Sequence, residues 1–576
     1  MAFFLLTQAT PLYTVKINNI VNKFDLKVSE FTFSDLNKTL QLFTWKSTET
    51  SHALTLDNGD FISSIGTFIY KQAYGDAALT ELYKDFVNDQ FKHLECTGHY
   101  NLIIKKQKKL YLYNDILGAW KIYQSTNGVI SSSLYMLLEL QKDLSLNQQG
   151  VYEYVLNGCT FGQKTIAEQI TSLAAEHYHV ITAEEIKSIA IEQRLVQQPD
   201  LQSKGMAELV DDYSKRLEIL FKKYQTIPTT AFRSAISGGF DSRLILSCFL
   251  KVKQHPELYV YGKPSDKDVV VAIDVADKAG LKLDYIDKSQ LKNNLNIENF
   301  VEIVERNLFM YDGLSYDGIL DNGNDYFDRL NRSKNNKILV NGSVGEIFRH
   351  FYYLPNKPIS INNFIKSFHS RFDPSTMMIA FNFKAYSDKL ADEIKKTLKI
   401  THTTLTRAEV EKLYPLLRAR YWSAKDMVNN HRFGLSLYPF FEQCLINGTS
   451  TIDFKTKCYG QFEAKLINKL SPKLAACNSD YGFPFNTKIP INYKLKTCIL
   501  TYQRPAWLRQ ISYAIQSKRH KPQRPCYLKP SYLSKIIDTD LPYMSIFFKN
   551  ITRLDNETLN RLATLEYIAK KYNFKH

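Results

Sequence analysis

The feature that most constrains this chain is the stretch Ser237-Gly238-Gly239-Phe240-Asp241-Ser242, set between two apolar runs, 231–236 and 244–250. The first run reads as a strand and the second as a helix. The two glycines let the backbone turn tightly and let N–H groups approach a ligand with no Cβ in the way. A helix starting at Asp241 turns its positive end to the same point, and Ser237 and Ser242 add hydroxyl donors. Together these read as a phosphate cradle. Asp241 would repel a phosphate unless a cation lay between them, so the loop implies Mg2+. It is not the GxxxxGK[ST] type of phosphate loop.

The surroundings fit an α/β fold. Helix is predicted over 206–224, then strand (229–237), helix (241–251), strand (257–262), helix (269–280), strand (282–287) and a later strand at 337–342. Such alternation gives a parallel sheet with crossover helices. Beyond 360 the pattern is mostly helical. The first 190 residues read mainly as strands, among them 99–106, 108–114, 128–133 and 176–183, with helices over about 74–93 and about 149–157. The polar stretch 197–205, with Pro199 and Gly205, marks a boundary between domains 1–200 and 206–576.

Composition excludes several classes. The 576 residues are 44% hydrophobic and 13% aromatic, ample for packed cores and too apolar for wholesale disorder. No uninterrupted apolar run approaches the length of a transmembrane helix. The start, 1–13, lacks the basic residues and cleavage site of an export signal, so it is expected to be a first strand in a cytoplasmic protein. The eight cysteines (96, 159, 248, 444, 458, 477, 498, 526) are scattered, form no CxxC and read as free thiols.

The net charge is +16, and its excess is uneven. Positions 481–537 hold eleven Lys or Arg and no Asp or Glu, tightest at 518–524. This region reads as a solvated basic face or as a docking site for an acidic protein, a nucleic acid or an anionic lipid surface. Charge alone leaves these open.

The glycine turn resembles the pyrophosphate loop of the asparagine synthetase family, SGG-x-DS. In that family it holds the pyrophosphate of ATP while a carboxylate attacks the α-phosphate and leaves an acyl-adenylate. Lys267-Asp268 and the helix after them resemble the family's acidic segment following the second strand. Asn341-Gly342-Ser343-Val344-Gly345-Glu346-Ile347-Phe348 resembles its second loop, SGEG[AS]DE, with Glu346 at the Mg2+-holding acid. Tyr438-Pro439-Phe440-Phe441-Glu442 resembles its PFLD element. In the first domain, Asn114-Asp115-Ile116-Leu117-Gly118 is similar to the RD-x-x-G turn, and Val129-Ile130-Ser131-Ser132-Ser133 stands in place of the FASE segment. Tyr154-Val155-Leu156-Asn157-Gly158, Thr165 and Ile170 follow the run before the domain link.

The resemblance covers about residues 90–480 and implies a fold. The first domain would be an N-terminal-nucleophile (Ntn) hydrolase-like αββα sandwich. The second would be an adenine-nucleotide α-hydrolase-like (PP-loop ATPase) parallel sheet with a helical C-terminal extension. It implies ATP and Mg2+ as cofactors, Ser237, Gly238, Gly239, Asp241, Ser242, Gly342 and Gly345 at the nucleotide, and Asp241 and Glu346 at the metal. The other partners are a small-molecule or peptide carboxylate and an amine donor, and the oligomeric state stays open.

The sequence also departs from the family. Its glutaminase needs Cys directly after the initiator Met, whereas position 2 is Ala2 and the first cysteine is Cys96. Glutamine hydrolysis is therefore not expected. In this the chain resembles β-lactam synthetases, lasso-peptide cyclases and related proteins of surface-polysaccharide clusters, whose first domain is inactive. Ser343 and Val344 replace Glu-Gly in the second loop, which argues against aspartate as substrate. The family's late Lys aligns with Ala464, leaving Lys465 one step on, or Lys455 and Lys457, as catalytic cations. Arg243 reads as a phosphate ligand or a surface ion pair. Arg349 and His350 read as an exposed helix start, and Asp312 and Asp317 as turn caps. The expected activity is an ATP-dependent, AMP-forming amide ligase without glutaminase. The alternatives are a catalytically impaired nucleotide-binding member and a tRNA-modifying PP-loop ATPase.

Overall fold

The computed structural model describes residues 2–8, 13–45, 50–191, 201, 203–287, 295–519 and 523–575, with the side chains of 513, 514 and 516–519 outside that description. Most of the expected boundary 197–205, and residues 520–522 of the basic stretch 518–524, lie outside the described residues. The fold is mixed α/β, with antiparallel sheets in the first part and a parallel sheet in the second.

The opening run forms the strand Ala2–Gln8. Ala2 to Leu6 are all buried, so the run is continuously apolar rather than alternating. It pairs antiparallel with Lys38–Trp45 and Ile130–Ser131 inside a six-stranded sheet. A seven-stranded antiparallel sheet is built on Phe61–Tyr70 and Cys96–Lys106, in register from Phe61 opposite Lys105 to Tyr70 opposite Cys96. The sheets meet through aromatic rings, with Phe31 and Phe33 of one 4.5 and 5.7 Å from Phe61 of the other. Helix Gly75–Asp85 buries Ala78, Leu79 and Leu82 on the seven-stranded sheet. It ends earlier than its periodicity predicts because Asn88 and Asp89 have φ of 52° and 62°, outside the helical region.

The parallel sheet contains, edge to edge, Leu283–Ile286, Glu257–Tyr261, Ala231–Ala235, Lys337–Val340 and Ser436–Leu437. Every neighbouring pair is parallel. In chain order this is 3-2-1-4-5, so the winding reverses between Ala231–Ala235 and Lys337–Val340. Open sheets of this kind bind ligands at that switch point, beyond the strands' C-terminal ends. Crossover helices Phe240–Lys251 and Lys267–Ala279 bury Leu244–Leu246 and Val269, Ala272 and Val275. The fifth strand, inside a region expected to be helical, has two residues, too few to carry an alternating signal.

The two parts share one core. Helix Asn556–Lys571 returns to pack on Gln148–Asn157, where Arg561 Nε donates to the Val155 carbonyl at 2.8 Å. Asp312 does cap, but across the seam. It accepts from the Leu134 and Tyr135 N–H groups (3.0 and 3.1 Å) and pairs with Arg432 at 2.6 Å. Glu442, in the PFLD-like element, accepts from the Gly98 N–H at 2.9 Å, and burial pushes its carboxyl up to about 8. All eight cysteines are free. No described helix is long and apolar enough to cross a membrane.

Candidate functional site

The loops after the first and fourth strands meet at the switch point. Their approach depends on glycines. A Cβ at Gly345 would stand 2.0 Å from Asp241 Oδ1, and one at Gly342 would stand 3.2 Å from the Asp241 carbonyl carbon. Between these glycines Val344 has φ 75°, a left-handed conformation that costs a β-branched residue on the order of 1–3 kcal/mol. Burial of its side chain offsets part of that. A crevice of about 320 Å³ opens here, lined by Ser237, Asp241 and Ser242 of the first loop and by Asn341–Val344 and Glu346 of the second. Its far wall is Phe351 with Tyr414, Arg418 and Trp422. The last three lie on a π-helix, Tyr414–Ser423, a rare geometry that recurs at functional sites. A larger cavity of about 590 Å³, between Phe24, Trp45 and Arg306, is reached by neither loop.

The first loop satisfies its own donors. The Ser237 N–H donates to Ser242 Oγ (3.0 Å), the two hydroxyls lie 2.9 Å apart, and the Gly239 N–H donates to Ser237 Oγ (3.3 Å). The Gly238 N–H donates to Asp268 Oδ1 at 2.8 Å. A second carboxylate stands beside it: a Cβ at Gly238 would lie 2.0 Å from Asp480 Oδ1. Burial, then the Asp268 carboxylate, pushes Asp480 up to about 6. Arg243 is neither phosphate ligand nor surface ion pair. It is buried and holds the segment before Asp480 by donating to the Cys477 and Asn478 carbonyls at 2.9 and 2.7 Å.

Arg349, expected at an exposed helix start, lies instead among the carboxyls of the two loops, its side chain only 13% exposed. It donates to both Asp241 oxygens (2.9 and 2.8 Å) and to Glu463 Oε2 (2.6 Å), and lies 3.4 Å from Glu346 Oε1. Glu346 also accepts from the Tyr414 hydroxyl. The other Glu463 oxygen is buried without a hydrogen-bond partner. Burial raises the pKa of Asp241 and, far more, of Glu463. Burial also acts upward on Glu346, but Arg349 and Tyr414 overcome it and hold that carboxyl below the usual range. His350, likewise expected to be exposed, is buried between Glu411 and the Phe454 carbonyl.

This geometry bears on the implied Mg2+. Both Asp241 oxygens are committed to Arg349, and those of Glu346 to Arg349 and Tyr414. Among the described residues no group of three or more His, Cys, Asp and Glu could hold a metal ion. The arrangement does not fit a metal there while the guanidinium holds the position.

The expected lysines do not line the crevice. Helix Gln461–Leu470 turns Glu463 and Ala464 inward and leaves Lys465 exposed. Residues 463 and 465 lie about 200° apart around the axis, so both cannot face the site. Lys455 is exposed, and Lys457 is buried in an ion pair with Glu411 at 2.5 Å. The cation that does line the crevice is Arg418, stacked 3.5 Å over the Trp422 ring. Sequence reading missed Arg418, Glu463 and Asp480, which no local pattern connects to the loops.

No protein-family model matches this sequence, and no curated protein does. Two solved structures are similar to parts of it. One, described as the allosteric regulatory enzyme of purine biosynthesis, aligns at 9% identity and a TM-score of 0.24 over 51% of this chain and 68% of that one. The other, a glutamine phosphoribosylpyrophosphate amidotransferase from B. subtilis complexed with ADP and GMP, aligns at 8% identity and 0.23 over 50% and 65%. Likenesses this slight decide nothing about fold or chemistry.

Proposed function

We propose that the crevice is the nucleotide site of an asparagine synthetase-like ligase, which activates a carboxylate with ATP and passes it to an amine without hydrolysing glutamine. One observation carries this reading. Two loops about a hundred residues apart, each resembling a nucleotide-site loop of that family, flank one crevice at the switch point of a 3-2-1-4-5 parallel sheet. The substrate carboxylate oxygen would attack the α-phosphorus, the bond to the bridging oxygen would break, and pyrophosphate would leave. An amine nitrogen would then attack the acyl carbon and release AMP.

The chain's own residues have definite tasks in this scheme. Ser237, Ser242 and the loop N–H groups exchange internal hydrogen bonds for phosphate oxygens. Arg418 offers positive charge from the far wall, and Trp422, Phe351 and Tyr414 exclude water. The first part of the chain is an Ntn-like domain in this reading, with Ala2 on a buried strand. The test is pyrophosphate release from ATP with candidate carboxylates. Loss of release in Asp241→Asn supports the assignment, and an unchanged rate refutes it.

The self-bonded loop and the guanidinium between Asp241 and Glu346 favour a second reading, a member that binds nucleotide without turnover. Tight ATP binding by calorimetry, with no pyrophosphate released on any carboxylate tried, would select it.

A further inference from the structure

The basic region contains two consecutive helical segments whose amphipathicity is inverted. In the first, Ile491–Thr497 continued by Cys498–Tyr502, the side facing the protein carries Tyr493, Thr497 and Tyr502. Tyr493 packs on Tyr481 and Phe483, and Tyr502 on Phe454 and Tyr459. The outward side carries Ile491, Leu495 and Ile499, at spacing i, i+4, i+8, and Leu500. Ile491 is 73% exposed and Ile499 66%.

The second segment, Ala506–Arg519, repeats the pattern. Arg509 turns inward, donating to the Tyr353 carbonyl and, at 2.6 Å, to the Thr501 carbonyl, while Ser512 accepts from Arg504. Trp507, Leu508, Ile511 and Ile515 point outward, Trp507 with 60% of its surface exposed. A helix on a globular surface normally does the reverse. Eight large apolar side chains on adjoining segments form a patch of the kind that marks an interaction site.

Charge selects the occupant. Across 481–537 the chain has eleven basic and no acidic residues, and Lys488, Lys494, Lys496 and Arg504 lie on or beside these segments. A second copy of the chain would set the same basic patch against itself, because a two-fold interface uses one patch twice. A nucleic acid would satisfy the charge and leave the aliphatic side chains in water. A surface that accepts both is anionic at the headgroups and apolar just beneath, and an amphipathic helix lying in its plane with Trp at the boundary suits it. We infer that the two helical segments within 491–519 dock the protein onto anionic phospholipid membranes, lying on the bilayer without crossing it.

Sedimentation of the full chain with vesicles tests this. The protein is expected to pellet with phosphatidylglycerol–phosphatidylcholine vesicles at low salt, to bind pure phosphatidylcholine far less, and to be released by raising salt to about 0.5 M. Lys494→Gln with Lys496→Gln is expected to lower partitioning about 25-fold, at roughly fivefold per charge. Leu495→Ser with Trp507→Ser and Ile511→Ser removes binding while circular dichroism stays unchanged. Should the serine variant misfold, the charge variant and the lipid comparison still decide. Failure of the native chain to pellet with anionic vesicles overturns the inference. Binding that ignores these substitutions, or capture by tRNA or a polyglutamate peptide with no vesicle binding, does so too.

Discussion

Arg349→Met is the most informative single change. In the native site one guanidinium meets Asp241 twice, Glu463 once and Glu346 at 3.4 Å, with Glu463 fully buried. Methionine keeps most of the stem volume and removes the charge. Breaking a buried ion pair from one side costs about 3–5 kcal/mol, because the remaining charge has lost its partner. Here three carboxyls lose theirs, so the deficit should reach the upper part of that range at pH 8 and relax as they take up protons.

The pH dependence has a definite sign. In the native protein Glu346 is held below the usual carboxyl range, so its contribution is present at neutral pH and is lost as pH falls through its folded value. Without Arg349 its pKa rises, and those of Asp241 and Glu463, already raised, rise further. A carboxyl raised on folding makes stability fall with rising pH, between its unfolded value and its folded one, by about 1.4 kcal/mol per unit. The gap between variant and native protein should therefore be small near pH 4.5 and widen to pH 8. Urea midpoints with their slopes across that range measure it. Mg2+ provides a second readout: the Asp241, Glu346 and Glu463 carboxyls would then face one another with no internal cation. At 100 times its dissociation constant, Mg2+ should restore about 2.7 kcal/mol to the variant and none to the native protein. A variant within about 0.5 kcal/mol of native at pH 8 and indifferent to Mg2+ would show that the guanidinium is not what holds the cluster together.

Three further outcomes are expected. Glu442, pushed up to about 8 by burial, binds a proton in the folded state that the unfolded chain releases near pH 4.5. Native stability should thus lose up to about 1.4 kcal/mol per unit between those values, and Glu442→Gln should remove that component from the urea midpoints. Pyrophosphate affinity by calorimetry should gain a component as pH falls through about 6, where Asp480 gains its proton beside the first loop, and Asp480→Asn should lack that component relative to the native protein. Gly345→Ala should cost about 1–3 kcal/mol by urea unfolding, because its Cβ would stand 2.0 Å from Asp241 Oδ1.

How much of this was legible in the sequence depended on whether the signal was local. Strand, glycine turn and helix succeed one another within twenty residues around Gly238, so the alternation announced a parallel sheet. The strand Ser436–Leu437 was too short to announce itself. The cations are hidden in the sequence for a different reason. Lys465 drew notice by its nearness to an expected position, but helical geometry turns Glu463 inward and Lys465 outward. Arg349 reads as a surface residue in sequence because nothing beside it reveals that Glu463, over a hundred positions on, completes its shell. Arg418 required the π-helical wall. Charge partners chosen across such distances leave no periodic trace.

Electrostatics at the crevice then follows from simple counting. Asp241, Glu346, Glu463, Asp268 and Asp480 surround the two loops, against Arg349 and Arg418. Two like charges 4 Å apart repel by about 4 kcal/mol at the effective dielectric of a protein surface, so an entering polyphosphate must find that surplus neutralised. Burial shifts the Asp241, Glu463 and Asp480 carboxyls toward the neutral form, which lessens it. Arg349 neutralises another part from within the chain. A mobile divalent ion in that role leaves with the product, whereas a tethered guanidinium stays, and it can follow a phosphate only by releasing Asp241. In the proposed nucleotide site, a phosphate that drew Arg349 to itself would have to break the Arg349–Asp241 pair. Arg349→Met should therefore change nucleotide affinity as well as stability, in proportion to how much of the pair the ligand must break.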